Sequence, residues 1–489
     1  MSTFSGLNGA LTSLLAQRRA LEIAGQNIAN VNTPGYTRQR ATLASIDGAA
    51  VPSMFSAPTT TTGGVVVSSV DRLGDAFLEA RVREESVNAG YLGAVSTAWD
   101  EIEAMVDEPG EDGLSAHLSS FFAGWQDVAN SPDETAARAV LLESANALVS
   151  RIATAYTGID RAWATMRGQA DSLTGEVNAT AATVADLNDR ILQSTVAGGN
   201  PATLVDERNE QLTRLAELVG AEARPRSDGT VDVMVGGNAL VRGTKVNALV
   251  VQGAPRLADL TAWDPSTPST ATTGPVRLVW QGTGTTVGAT GGRLGGLLTA
   301  LAPASTSGPG GPLATVAATY DDLALELANA VNAAHATGRY LGEDPSSPDP
   351  DTAFFTVSTD PADGPPSLNL AVAITDVRKV RAAAAGAGAL DGSVADAISQ
   401  LEDRLASTWS QTVVNIGVQT RTAAQRAGAA QTTLDVATGQ LQSQAGVNLD
   451  EETIQLLASQ RAYEGAARVI TAIDQLLDTL INRTGIVGR

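Results

Sequence analysis

Residues 141–191 read LLESANALVSRIATAYTGIDRAWATMRGQADSLTGEVNATAATVADLNDRI. Apolar side chains stand at Leu141, Ala145, Leu148, Ile152, Ala155, Ile159, Ala162 and Met166, then at Ala170, Leu173, Val177, Thr180, Val184, Leu187 and Ile191. The steps alternate between four and three, with one repeated four at Met166→Ala170. That is the spacing of one helix face, a coiled-coil seam carrying a single stutter. It predicts a helix of roughly 50–60 residues, capped by Asp133 or Ser131 and ending at Gly198-Gly199-Asn200-Pro201. A chain organised around such a rod is mainly α.

The flanks fit the same grammar. Residues 75–106 and 114–130 read as helices split by Glu108-Pro109-Gly110, and another helix runs over 202–219. Fourteen of the 20 prolines lie between Pro225 and Pro366, and none follows. Proline costs a helix interior about 3 kcal/mol. The middle is therefore broken and the C-terminal third is free to be helical. Within the middle, Thr230–Val235, Gly236-Gly237-Asn238 and Ala239–Val241 predict a β-hairpin. Val276–Trp280 reads as a strand, 313–335 as helix, and 354–358 and 368–375 as strands. Residues 37–70 read as extended, with Gly63-Gly64 before Val65-Val66-Val67.

The two ends carry matching stripes. Leu7, Leu14, Leu21 and Ile28 recur every seven residues, with Phe4 and Leu11 beside them. That helix stops before Asn32-Thr33-Pro34-Gly35, because a residue preceding proline is pushed out of the helical region. Near the other end, Val394, Ile398, Leu401, Leu405, Trp409, Thr412 and Ile416 again step by threes and fours, and Leu434 and Leu441 continue the stripe. Gly446 breaks the chain, Asn448 reads as an N-cap, and Glu451 stands where a capping box needs it. The last helix carries Leu449, Leu456, Tyr463, Ile470 and Leu477 at seven-residue intervals, flanked by Ala466, Ile473 and Leu480. Residues 1–40 carry a net charge of +3 and residues 448–489 a net charge of −2. Opposite signs favour packing of the two ends on each other.

Composition excludes several functions. The 489 residues hold no Cys, two His and 4% aromatics, with a net charge of −21. Disulfides, thiolate metal sites and Cys nucleophiles are impossible. A chain this acidic is a poor nucleic-acid binder. No apolar run approaches the ~20 residues that span a bilayer, so no membrane insertion is expected. The N-terminus lacks a signal-peptide layout, with Arg18, Arg19 and Glu22 inside the apolar stretch.

No catalytic constellation is legible. His117 and His335 belong to no HExxH or HxH pattern and read as solvated or core residues. No phosphate loop or nucleophile elbow occurs, and Gly386-Ala387-Gly388 reads as a turn before a helix near Val394. The acidic groups at Asp107-Glu108 with Glu111-Asp112, and at Asp344, Asp349 and Asp351, lack the spacing of a calcium loop and read as solvated loops. The expectation is no enzyme, no cofactor and no metal.

Two terminal motifs carry a resemblance. Ala24-Gly25-Gln26-Asn27-Ile28-Ala29-Asn30-Val31-Asn32-Thr33-Pro34-Gly35-Tyr36 is similar to the N-terminal signature of rod, hook and hook-associated proteins of the bacterial flagellum. Ser443–Glu452 with Gln460-Arg461-Ala462-Tyr463-Glu464 is similar to their C-terminal signature. Tyr36-Thr37-Arg38-Gln39, Phe121–Asn130 with Ala136-Ala137-Arg138, Leu204–Asn209, the Gly236-Gly237 hairpin and Asn332–Gly338 leading to Phe354-Phe355 narrow it to the FlgK-type hook-associated family. The departures are Asn209, where that family commonly has Asp, and a short middle region.

The resemblance implies a layered, flagellin-like architecture: mainly α, with terminal helices paired as a coiled coil, a long-helix middle domain and an inserted β-rich domain. The implied divisions are 1–60 plus 430–489, 61–225 plus 297–429, and 226–296. It implies a structural protein at the junction of hook and filament, or, on a nearer rival reading, a hook or distal-rod subunit. It also implies export through the flagellar type III channel and self-association in a ring. The implied partners are hook protein on one side, a FlgL-type hook-associated protein 3 on the other, and a FlgN-type chaperone on the C-terminal helix. The assembly residues would be Leu7, Leu11, Leu14, Leu21 and Ile28, with Asn27, Asn30, Asn32, Gly35 and Tyr36. At the other end they would be Asn448, Leu449, Leu456, Tyr463, Ile470, Ile473, Leu477 and Leu480. Such seams would lack partners in a free monomer and leave it frayed at both ends.

Overall fold

The structure, a computed structural model, describes residues 3–46, 63–261, 266–288, 290–305, 310–343, 350–360, 363–479 and 481. Leu480, the Phe4 side chain and most of the acidic loop at 344–351 lie outside the described residues or side chains.

The chain opens with α1 (Thr3–Ala29), then β1 (Gln39–Ser45) and β2 (Val65–Arg72), which pair antiparallel. There follow α2 (Ala76–Val106), α3 (Leu114–Asn130), α4 (Thr135–Val196) and α5 (Ala202–Val219). Next come β3 (Glu222–Pro225), β4 (Val231–Val235), β5 (Asn238–Arg242), β6 (Lys245–Val246), β7 (Leu249–Gln252), α6 (Leu257–Thr261) and β8 (Arg277–Trp280). The elements α7 (Gly292–Ala300), α8 (Pro312–His335), β9 (Gly338–Tyr340), β10 (Phe355–Thr356), α9 (Pro366–Asn369), β11 (Ala371–Val372) and β12 (Arg381–Ala384) lead into α10 (Ser393–Ser399), α11 (Glu402–Ala445) and α12 (Leu449–Asp478).

The 62-residue α4 is the spine, and its stripe is buried almost from end to end; only Ala162 and Leu173 among the fifteen quoted positions are half-buried. Leu142, Tyr156, Trp163, Thr174, Ala181 and Asn188 are buried as well. The buried face is thus wider than a two-stranded seam and matches a helix packed into a globular core. Its start differs from the expectation. Ser131 closes α3, and Glu134 precedes α4 without a side-chain cap.

The N-terminal half of α4 packs against α3 and α8. An aromatic cluster fills that end, with Phe121, Trp125, Phe354 and Phe355 all buried and Trp125 and Phe354 ring centroids 5.1 Å apart. The C-terminal half carries α5 and the strands. Asn178 and Asn188 dock the β region onto the rod. Asn178 exchanges two 2.9 Å hydrogen bonds with the Leu249 backbone. Asn188 donates to the Val231 and Gly243 carbonyls and accepts from the Val231 N–H. The four-stranded sheet runs in the order β3-β4-β5-β6, with the hairpin turn at Gly236-Gly237. Its buried residues share one continuous core with α4.

Two expectations change in the C-terminal third. The stripe from Val394 to Ile416 is not one helix: it breaks at Gln400-Leu401, between α10 and α11. The break lets α10 fold onto α3 while α11 turns to run antiparallel along α2. Arg81 reaches Gln440 at one end of that pair, and Thr420 reaches the Trp99 carbonyl further along. Leu368 and Asn369 belong to the helical turn α9, because Pro365-Pro366 presets helical φ where a strand was expected.

His335 is a core residue. Its Nδ1 donates to the Thr352 carbonyl at 2.7 Å and its Nε2 accepts the Arg381 N–H at 2.9 Å. Burial pushes its pKa down to about 4, with Arg381 and Arg138 adding to the effect against the Thr352 hydrogen bond. The unfolded chain therefore binds a proton that the folded chain refuses between pH ~6.5 and ~4, so stability falls as pH drops through that window, by up to about 1.4 kcal/mol per unit. Urea midpoints measured at pH 7 and pH 5 should fall further for the wild type than for His335→Gln. Equal losses would remove His335 from the acid response.

Candidate functional site

The terminal helices lie outside the main core and are tied to it by a polar junction. α1 and α12 pack along their length as an antiparallel pair. Asn27 meets Glu452 at one end, and Gly6 lies beside Ile473 at the other. Each pair of positions is 21 residues apart, about 31 Å of helix. Ala16, Ala20, Ile23, Ala24 and Asn27 are buried on α1, and Glu452, Ser459 and Ala466 on α12.

The expected assembly positions are only partly covered within the chain. Leu7, Leu14, Leu21 and Ile28 are half-buried and Leu11 is exposed. Leu456, Tyr463, Ile470, Ile473 and Leu477 are half-buried, and Leu449 is exposed. On both helices these large apolar residues are less buried than the residues at the contact. Gly9 meets a steric constraint. A Cβ there would stand 2.5 Å from the Gly63 carbonyl oxygen, so the β1–β2 hairpin can seat on α1 only against glycine.

Asn27 is the centre of the junction. Its Nδ2 donates to Glu452 Oε2 at 2.9 Å and to the Gln39 carbonyl at 2.8 Å. Its Oδ1 accepts from the Gln39 N–H at 3.0 Å and from the Tyr36 hydroxyl at 2.9 Å. All four hydrogen-bonding positions of the amide are used. Burial, with Asp206 and Glu452 nearby, pushes the Tyr36 phenol up to about 12, so it remains a donor. Arg38 bridges the ends as well, with Nε 2.6 Å from Glu452 and Nη1 2.6 Å from Glu451. The Arg38 N–H also donates to the Ala445 carbonyl at the end of α11.

The same segment is bolted to the body. Asp206 of α5 accepts from the Thr37 N–H at 3.1 Å and pairs with Arg72 Nε. Arg72 also pairs with Glu79 at 2.6 Å. Asn209 donates to the other Glu79 oxygen at 2.8 Å. Aspartate at position 209 would set two carboxylates together here. Arg208, two residues from Asp206, donates to Asn188 and to the Gly229 carbonyl. Burial, and then Arg72, pushes its pKa down to about 10.

The remaining motif positions have local roles. Asn30 donates to the Gln26 carbonyl and accepts from the Thr33 hydroxyl, closing α1. Gly35 takes the turn with φ of 74°, and Asn32 is exposed beside it. Asn448 caps α12 as expected, accepting from the Asp450 and Glu451 N–H groups. The expected capping box gives way to an ion pair, since the Glu451 carboxylate is drawn to Arg38. Glu108 is likewise no free loop acid: its Oε1 accepts from the Ser115 N–H and from the Trp409 indole.

The motifs single out Asn27, Asn30, Asn32, Gly35 and Tyr36 at one end and Asn448 at the other; of these the structure brings Asn27 and Tyr36 into the junction, beside Arg72, Glu79, Asp206 and Glu452, which the expected assembly residues do not include. The opposite charges of the two ends were the available signal, and they resolve to Arg38 with its two glutamates. Arg18 and Arg19 instead pair with Glu22 on α1 itself. Among the described residues no helix is long and apolar enough to cross a membrane.

Residues 7–37 match the flagella basal body rod protein family, and residues 439–483 match the C-terminal region of the flagellar basal body rod FlgEFG proteins. The flagellar hook-associated protein 1 of Bacillus subtilis is 27% identical over 521 residues, covering 100% of both chains. That of Salmonella typhimurium is 30% identical over 258 residues, 52% of this chain and 45% of the other. A solved structure, the flagellar hook junction protein FlgK from Burkholderia pseudomallei, aligns with a TM-score of 0.45 and 24% identity over 58% of this chain and 47% of that one. Residues 99–350, just over half of the chain, match the flagellar hook-associated protein FlgK helical domain, and the chain belongs to that family.

Proposed function

We propose that the chain is a structural subunit of the bacterial flagellum that joins hook to filament. The observation that carries this is the double-faced terminal pair. α1 and α12 pack on each other and are held by Asn27, Arg38 and Glu452. Their outer faces still present exposed Leu11 and Leu15, and Ile454, Leu457, Val469 and Leu476. An apolar surface of this kind on a terminal helix pair marks a contact with other subunits. The work is mechanical: the pair is the inner, coiled-coil layer of a flagellin-like assembly, α2–α5 with α7–α11 form the surrounding body, and the strands of 226–296 form its outer part.

The assembly residues are the half-buried leucines and the exposed ones beside them, which other copies would cover in a ring. Hook protein on one side and a FlgL-type protein on the other are the neighbours this reading requires. Before assembly, the chain travels through the flagellar type III channel, its α12 covered by a FlgN-type chaperone. A Cys-free chain rich in Ala suits refolding after such a passage.

Imaging a fluorescently labelled copy in flagellated cells tests the reading. The expected result is one spot at the hook–filament boundary. Label spread along the hook or in the distal rod would replace this reading with that of a hook or rod subunit.

A further inference from the structure

Arg83 is a cation whose nearest carboxylate, Glu79, is engaged elsewhere. It lies half-buried on α2, one turn after Glu79. Among the described residues it has no hydrogen bond and no ion pair. Glu79 at i−4 is the ordinary helical partner, but one of its oxygens is taken by Arg72 and the other by Asn209. Asp206, the next buried acid, is held by Arg72 and the Thr37 N–H.

The Arg83 guanidinium lines a cavity of about 230 Å³ between the N-terminal turn, α2, α5 and the end of α11. The paired Arg72 and Glu79 line it too, with Tyr36 and Gln442, and exposed Gly35 and Glu210 carry it to the surface. At about 30 Å³ per water, that space takes a carboxylate side chain with water to spare. Burial and the nearby Arg72 hold the Arg83 pKa below the usual guanidinium range, with Glu79 opposing. A desolvated charge of this kind gains most from an oppositely charged partner.

The charge of the chain says which partner. Copies with a net charge of −21 repel. With 53 acidic against 32 basic residues, carboxylates outnumber cations on every copy, so a second copy offers many acids to an unpaired guanidinium. We propose that Arg83 receives an Asp or Glu side chain from a second copy of this chain, which enters the cavity and pairs with the guanidinium when copies assemble. The inference rests on the assembly reading above.

Arg83→Lys tests it in the full chain. Only Lys245 and Lys379 supply other side-chain amines, so carbodiimide links from position 83 are identifiable by mass spectrometry. Mixed light and heavy copies separate links between chains from links within one. The expected result is a link from position 83 to an acid of another copy in assembled material, at least about tenfold weaker in dilute unassembled chain. No link in the assembly, or a link to Glu79 or Glu210 of the same chain, overturns the proposal. Arg83→Gln should weaken assembly about tenfold or more, with the thermal midpoint unchanged. Assembly equal to the wild type counts against it. A wild-type chain that never self-associates removes the assembly reading and this inference together, whereas one that assembles regardless of Arg83 removes this inference alone.

Discussion

Glu452→Ala releases both ends of the chain from the body. Its carboxylate is buried and holds Asn27 at 2.9 Å and Arg38 at 2.6 Å. Removing it strands a buried amide and a half-buried guanidinium, a loss of about 3–5 kcal/mol for a broken buried pair. The cost falls on the junction, because α1 and α12 lie outside the main core. Amide hydrogen exchange should therefore accelerate throughout α1, β1 and α12, while α4 and its aromatic cluster stay protected. Limited proteolysis should open near residues 30–38 and 446–449. The neighbouring Glu451→Ala is the control. That carboxylate is largely exposed, and its pair with Arg38 is worth about 0–1 kcal/mol. Equal protection in the two variants would sink the assignment of Glu452 as the clamp.

Ile470→Asp combined with Leu477→Asp should abolish incorporation into flagella. Both residues are half-buried on α12, beside the strip that meets α1. Each forfeits a share of the roughly 1.5–3 kcal/mol that burying a large apolar side chain contributes, and each adds a charge to an apolar surface. The predicted phenotype is loss of filament growth and of chaperone binding, with the thermal transition of the body retained. A double variant that supports both would refute the role given to this face.

The pairing of the chain ends also changes the picture of the free monomer. The expectation was that both terminal stripes lack partners before assembly. In the structure one face of each helix is satisfied within the chain, and the second face remains for neighbours. A trypsin time course on the purified monomer, with Asn27→Ala alongside, should show terminal helices protected in the wild type and cut early in the variant.

Much of the fold was legible from periodicity. The α4 stripe, the glycine hairpin turn and the Asn448 cap were each visible as local chemistry, because 3.6-residue spacing and turn preferences act over short distances. The break at Gln400-Leu401 was not, since the threes and fours run through it unchanged; only the packing of α10 on α3 and α11 on α2 requires the chain to bend there. The contact within the terminal pair is not legible for a related reason. Periodicity weighs large apolar residues, whereas the contact surface was decided by where Gly9, Ala16 and Ala20 let other elements approach.

What the sequence by itself determined was the set of rods, the interrupted β middle and the kinship of the two ends. Those follow from propensity, proline placement and short motifs, all properties of neighbouring residues. Which residues join the ends was decided by tertiary structure alone. Asn27 and Glu452 stand 425 residues apart, and Arg72 and Asp206 stand 134 apart. No local rule assigns a partner over such distances; the assignment comes from the long helices, which bring these polar groups to one dry junction where each must be satisfied.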